Sequence, residues 1–89
     1  MFEWDETKRQ ANLAKHGVDF AALEEFDWAT SVRKDDTRYH YGESRRYAYG
    51  LIGTRVHVVI YTERLGRIRV ISLRKANFRE VDEWVRSRT

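Results

Sequence analysis

The chain has 89 residues, with 17 Lys+Arg against 14 Asp+Glu for a net charge of +3, 42% hydrophobic and 13% aromatic residues, and neither cysteine nor proline. That length holds one hydrophobic core, so residues 1–89 read as a single domain, and the apolar content excludes a wholly disordered chain. The absence of cysteine excludes disulfides and thiolate metal sites; the longest aliphatic run, Val58 to Ile60, is too short to cross a membrane, and MFEWDE lacks a signal-peptide pattern, so a cytoplasmic protein is expected.

In chain order, Phe2, Glu3 and Trp4 suit a short edge strand. Asp5 is a natural N-cap and Gly17 a stop, which predicts a helix over 5–16 with Thr7, Ala11, Ala14 and Val18 on one side. Asp19 caps a second short helix whose Phe20, Leu23 and Phe26 face inward. From Thr30 the period becomes two, predicting strands over 30–35, 45–52, 55–62 and 67–74, the last three joined by the tight-turn pairs Gly53-Thr54 and Leu65-Gly66. Asn77 then caps a closing helix to Arg86, with Phe78, Val81, Trp84 and Val85 as its buried side. The expected fold is α+β: two N-terminal helices, a four-stranded antiparallel sheet and a C-terminal helix, with the helices packed on one sheet face.

The charge is uneven. Residues 1–30 carry seven acids and three bases, residues 31–79 twelve bases and four acids, and residues 80–89 three acids and two bases. Thirteen of the cations are arginine, whose planar fork grips phosphate and stacks on bases, so a polyanion partner is favoured over a merely solvated face. The focus is YTERLGRIRVISLRKA, residues 61–76. Strict alternation puts Arg67, Arg69, Ile71 and Leu73 on one face and Ile68, Val70, Ser72 and Arg74 on the other. Ion pairs to Glu63, Glu80, Asp82 or Glu83 account for some of these cations. The local acids are too few for the whole set Arg64, Arg67, Arg69, Arg74, Lys75 and Arg79, which reads as a phosphate site.

The segment DDTRYHYGESRR, residues 35–46, adds Arg38, Tyr39, His40 and Tyr41: a cation, stacking rings and an imidazole, the chemistry that single-stranded RNA uses. Core packing is the competing reading for its aromatics. His16 and His57 read as structural, one at a helix end and one in a strand. Three scattered histidines without cysteine give no metal signature, and no cofactor is implied.

Metal-free RNA cleavage by the 2′-hydroxyl needs a base, a stabiliser of the charged phosphorane and an acid for the leaving 5′-oxygen. Fixed guanidiniums serve the middle role. Arginine stays protonated at neutral pH, so the candidate bases are His40, Glu63, Glu80, or a Lys75 whose pKa is depressed by neighbouring arginines. Tyr61 is a candidate for substrate positioning or proton transfer. These residues alone do not exclude binding without cleavage.

FEWD at 2–5, N-x-x-KHGV-x-F at Asn12–Phe20, D-x-R-x-x-YGE-x-R at Asp36–Arg45, YTER at 61–64 and IR-x-IS-x-RKA at Ile68–Ala76 together resemble BrnT-type toxins, over almost the whole chain. The resemblance implies a RelE/ParE-like fold and a ribonuclease toxin of a type II toxin–antitoxin module that inhibits translation. It also implies a BrnA-type antitoxin partner in a heterotetramer that represses its own operon, with operator DNA reached only through the antitoxin. Its pattern points to Arg64, Arg74 and Lys75, with Glu63, Tyr61 and Glu80 around them. Where many relatives carry a tyrosine four residues after this glutamate the chain has Trp84, which keeps open a catalytically weak or inactive binding module of the same fold.

Overall fold

The computed structural model describes residues 2–36 and 44–88. Strand β1 (Phe2–Glu3) is followed by helix α1 (Glu6–His16), a 3₁₀ helix (Phe20–Glu25), strands β2 (Val32–Asp36), β3 (Arg45–Ile52), β4 (Arg55–Arg64) and β5 (Arg67–Lys75), and helix α2 (Phe78–Arg86). The sheet order is β1-β5-β4-β3-β2, with β1 parallel to β5 and every other pair antiparallel.

This corrects the expected four-stranded antiparallel sheet behind two N-terminal helices: the sheet is five-stranded and mixed, and of the two expected helices only the first is α-helical, FAALEE forming a 3₁₀ helix. Phe2 and Glu3 do form the short edge strand expected at residues 2–4, and the correction lies in its pairing: it joins the sheet parallel to β5 at Ile68 and Arg69. The Asp19 side chain does cap the next element, accepting from the Ala21 N–H, but the Phe26 N–H closes onto the Leu23 carbonyl in an i→i+3 turn that ends it.

The helices also do not share one face. Phe20, Leu23 and Phe26 pack with Ala48, Val59, Tyr61, Val70 and Leu73 on one side of the sheet. Helix α2 packs Val81 and Trp84 against Tyr49, Val56 and Val58 on the other. Close approach on the first side depends on Gly50, where a Cβ would meet the Phe26 ring at 2.5 Å.

Helix α1 turns inward a side other than the expected Thr7, Ala11 and Ala14, all three of which are exposed. Its buried residue is Asn12, and the reason lies in the edge of β5 beyond β1. The Asn12 amide donates to the Leu73 carbonyl at 2.7 Å and accepts from the Leu73 N–H at 3.2 Å, pairing the edge as a further strand would. A third bond, to the Val18 carbonyl at 3.0 Å, ties in the chain after Gly17, whose φ of 71° ends the helix.

Helix α2 begins with a reciprocal capping box: the Asn77 side chain accepts from the Glu80 N–H and the Glu80 carboxylate from the Asn77 N–H. Its expected apolar side is corrected at two positions. Phe78 is 95% and Val85 47% exposed, because the helix is rotated to bring Glu80, Val81 and Trp84 to the sheet. The Trp84 indole N–H donates to the Thr30 carbonyl at 3.1 Å, so this residue bonds the helix to the chain before β2.

Candidate nucleic-acid interface and active site

The geometry of the basic surface is set by a β-bulge. Along β4 the residues alternate regularly, and β5 pairs Val59 with Leu73 and Ile60 with Ser72, then Tyr61 with Val70 and Thr62 with Arg69. Ile71 is the extra residue, and beyond it the phase of β5 reverses. Val70 and Leu73, three apart, therefore share the first core. Arg67, Arg69 and Arg74 consequently lie opposite Arg64, Thr62 and Val58, all on the α2 side. Strict alternation had divided these arginines between two faces; the bulge unites them.

That side of the sheet is a lattice of paired rows. Arg45, Thr62 and Arg69 form one row, Tyr47, Ile60 and Ser72 the next, and Tyr49, Val58 and Arg74 the third. Helix α2 covers the far end and leaves a groove of about 250 Å³ lined by Tyr47, Tyr49, Val58, Ile60, Arg74, Arg79 and Glu80. Tyr47 and Tyr49, two apart on β3, stand side by side with ring centroids 5.6 Å apart. Thr62, 3% exposed, has a buried hydroxyl with no hydrogen-bond partner among the described residues.

Arg74 is held in place. Its guanidinium donates two bonds of 2.8 Å to the two oxygens of Glu80, and the same carboxylate accepts the Asn77 N–H at 2.8 Å. Glu80 is 7% exposed; its bonds to Arg74 and to the Asn77 backbone outweigh burial and hold its pKa below the usual carboxylate range. A carboxylate so engaged is an orienting group and a poor proton acceptor near neutrality. Burial pushes the Tyr49 phenol up, so it remains a hydrogen-bond donor at neutral pH.

The candidates divide by face. Arg64, Arg67, Arg69, Arg74, Arg79 and Glu80 are brought to the α2 side, where Lys34 pairs with Glu83 and Arg67 lies 3.9 Å from Glu3. Tyr61, Glu63 and Lys75 project from the opposite side. Tyr61 is 1% exposed, packs edge-on against Trp28 at 5.5 Å, and has its pKa raised by burial. Glu63 pairs with Arg46 at 3.2 Å, and Lys75 is exposed opposite His57. His57 bonds the Arg55 carbonyl through Nδ1 at 2.8 Å. Arg38, Tyr39 and His40 lie outside the described residues.

Sequence reasoning passed over Arg45, Tyr47 and Tyr49, although RRYAY carries the signal: residues at i, i+2 and i+4 of a strand share a face. Among the described residues no group of three or more histidine or acidic side chains comes together as a metal site, and no helix is long and apolar enough to cross a membrane.

The structure is thus an α+β domain with an arginine-rich sheet face flanked by phenols and by a carboxylate-clamped arginine. A family model described as "Ribonuclease toxin, BrnT, of type II toxin-antitoxin system" matches residues 4–80, and the chain belongs to this family. No curated protein matches the chain. Membership makes it a ribonuclease toxin of a toxin–antitoxin pair, with an antitoxin as its partner.

Proposed function

We propose that the chain is a metal-independent endoribonuclease acting on the α2-side face, with Arg74 as the group nearest the scissile phosphate. The observation that carries this is the Arg74–Glu80 clamp, a cation fixed by two hydrogen bonds at the wall of a groove also lined by Arg79 and two phenols. In the reaction the O2′ attacks phosphorus, its proton passes to a base, the P–O5′ bond breaks and O5′ is protonated, leaving a 2′,3′-cyclic phosphate. Arg74 and Arg79 stabilise the charge that grows on the non-bridging oxygens, the task a metal ion would otherwise perform. A fixed guanidinium needs no reorganisation as that charge develops. Glu80 positions Arg74, and the Tyr49 phenol donates to the phosphate. With Glu80 committed to Arg74, and Glu63 and Lys75 on the other side of the sheet, His40 is retained as the base. Arg45, Arg64, Arg67 and Arg69 hold the strand, with Arg38 and Tyr39 as further contacts.

The remaining features belong to the same proposal and rest on family membership: translation arrest in the cytoplasm, a RelE/ParE-like fold over a single domain of residues 1–89, and neutralisation by a BrnA-type antitoxin that represses the operon in a heterotetramer. The test is cleavage of a defined RNA by purified protein in EDTA, with products ending in cyclic phosphate. Cleavage that needs magnesium, or that persists on 2′-deoxy substitution at the scissile site, overturns the mechanism. Salt-dependent RNA binding with no cleavage by a folded protein selects the inactive binding module.

A further inference from the structure

The other side of the bulge forms a second groove. It lies between α1 and the edge of β5, encloses about 290 Å³, and is lined by Lys8, Lys15 and His16 of α1 with Ile71 and Ser72 of the bulged strand, over Asn12. Lys8 and Lys15 lie seven residues apart, two helical turns or roughly 10 Å along the axis. Ala11 and Asn12 lie between them on the same wall. No acidic side chain lines this groove among the described residues, and neither lysine is ion-paired there. The acids nearest in sequence are occupied elsewhere: Asp5 caps α1 by accepting the Thr7 N–H, and Glu6 and Asp19 bond Arg9.

Two observations join this groove to the Arg74 face. The Arg74 guanidinium is near enough that its charge, after burial and Lys15, disfavours protonation of His16. Ser72 also belongs to the row of Tyr47 and Ile60 on the α2 side, while its hydroxyl reaches the Asn12 side chain at 3.4 Å. Ser72, which lines the α1 groove, thus pairs directly with Ile60, which lines the Arg74 groove. An ordinary edge strand exposes backbone donors and acceptors there, but Asn12 has already satisfied Leu73, so the rim offers side-chain cations instead of a template for strand addition.

We propose that the groove between α1 and the bulged edge of β5 is an RNA-backbone subsite, in which Lys8, Lys15, His16 and Ser72 hold phosphates of the strand as it leaves the Arg74 site and rounds the sheet edge. The inference rests on the proposed action on RNA and extends it: the protein grips flanking nucleotides by charge and without base selectivity, so long substrates bind better than short ones.

The test is binding to 2′-O-methyl RNA, which cannot be cleaved, with a 12-mer compared against a trimer in wild type, Lys8→Gln/Lys15→Gln and Arg74→Gln. Both lysines are exposed, so the double variant is expected to fold, with a thermal melt as the check. The proposal predicts that the double variant loses about 5–20-fold in 12-mer affinity and about 1.4 units of salt slope, since each of the two phosphate contacts on a single strand contributes about 0.7. Trimer binding stays as in wild type, and Arg74→Gln weakens both RNAs. Wild-type 12-mer affinity and salt slope in the double variant, with Arg74→Gln still impaired, overturn the subsite and leave the active face standing. Failure of wild type to bind either RNA overturns the RNA reading itself, and the subsite with it. Unchanged RNA affinity with weaker binding of poly-glutamate assigns the groove to an acidic protein segment and overturns the proposal.

Discussion

Arg74 and Glu80 meet through two parallel hydrogen bonds of 2.8 Å, across the junction between the last strand and the last helix. One pair of side chains thereby connects the fold to the site. Glu80 completes the cap of α2 through the Asn77 N–H and fixes the guanidinium that faces the groove.

Replacing Glu80 by Gln is expected to destabilise the protein by about 1–3 kcal/mol, the loss of charge-assisted bonds to a buried group. Because the folded pKa of Glu80 is depressed, its stabilising effect is complete above the usual carboxylate range and fades as the pH falls through that range toward the depressed value. Urea denaturation of wild type and Glu80→Gln should therefore differ at pH 7 and converge in acid. A difference that grows on acidification contradicts the clamp.

Arg74 and Lys75 are sequence neighbours on opposite sides of the sheet, which makes them a matched pair. Arg74→Ala is expected to lower RNA cleavage by at least about 100-fold, the size typical of removing one preorganised charge stabiliser. Lys75→Ala should remain within about threefold of wild type, since a distant surface charge acts mainly through a screened field. Single-turnover cleavage by both variants, normalised to folded protein, measures the split. Equal losses would place the reacting phosphate elsewhere.

The bulge yields a counter-intuitive expectation. Deleting Ile71 removes the unpaired residue and leaves both flanking registers unchanged, so Arg67, Arg69 and Arg74 stay on one face. The deletion should cost no more than about 3 kcal/mol, within the range of ordinary single changes, whereas deleting Val59 breaks the register of the central strand and should unfold the protein. Circular dichroism melts of the two deletions decide the matter.

The β4–β5 turn places Leu65 at φ 52° and Gly66 at φ 78°, with Leu65 97% exposed. A leucine gains nothing there to offset its left-handed backbone, so Leu65→Asn should stabilise by about 0.5–1 kcal/mol, as turn-compatible substitutions do. At the other extreme, Gly50→Ala drives a methyl into the Phe26 ring and should destabilise by about 1–3 kcal/mol, with partial rescue by Phe26→Leu. Thermal melts check both signs.

Much of this protein is decided locally and was legible in the chain. Caps and turns act within a few residues, so Asp5, Asp19, Asn77 and the hairpin turns fixed where most elements begin and end. The excess of arginine over acid in the middle segment located the basic charge before any face was known. Tertiary structure decided how that charge is arrayed. Whether β5 keeps or breaks its alternation depends on its pairing with β4, and nothing in RIRVISLRK announces an extra residue at Ile71. Likewise the edge strand Phe2–Glu3 finds its parallel partner only in β5, Asn12 is buried only because an unpaired edge needs its amide, and Phe78 is exposed because Glu80 must reach Arg74. Each depends on partners far away in sequence, whose positions local propensity does not encode.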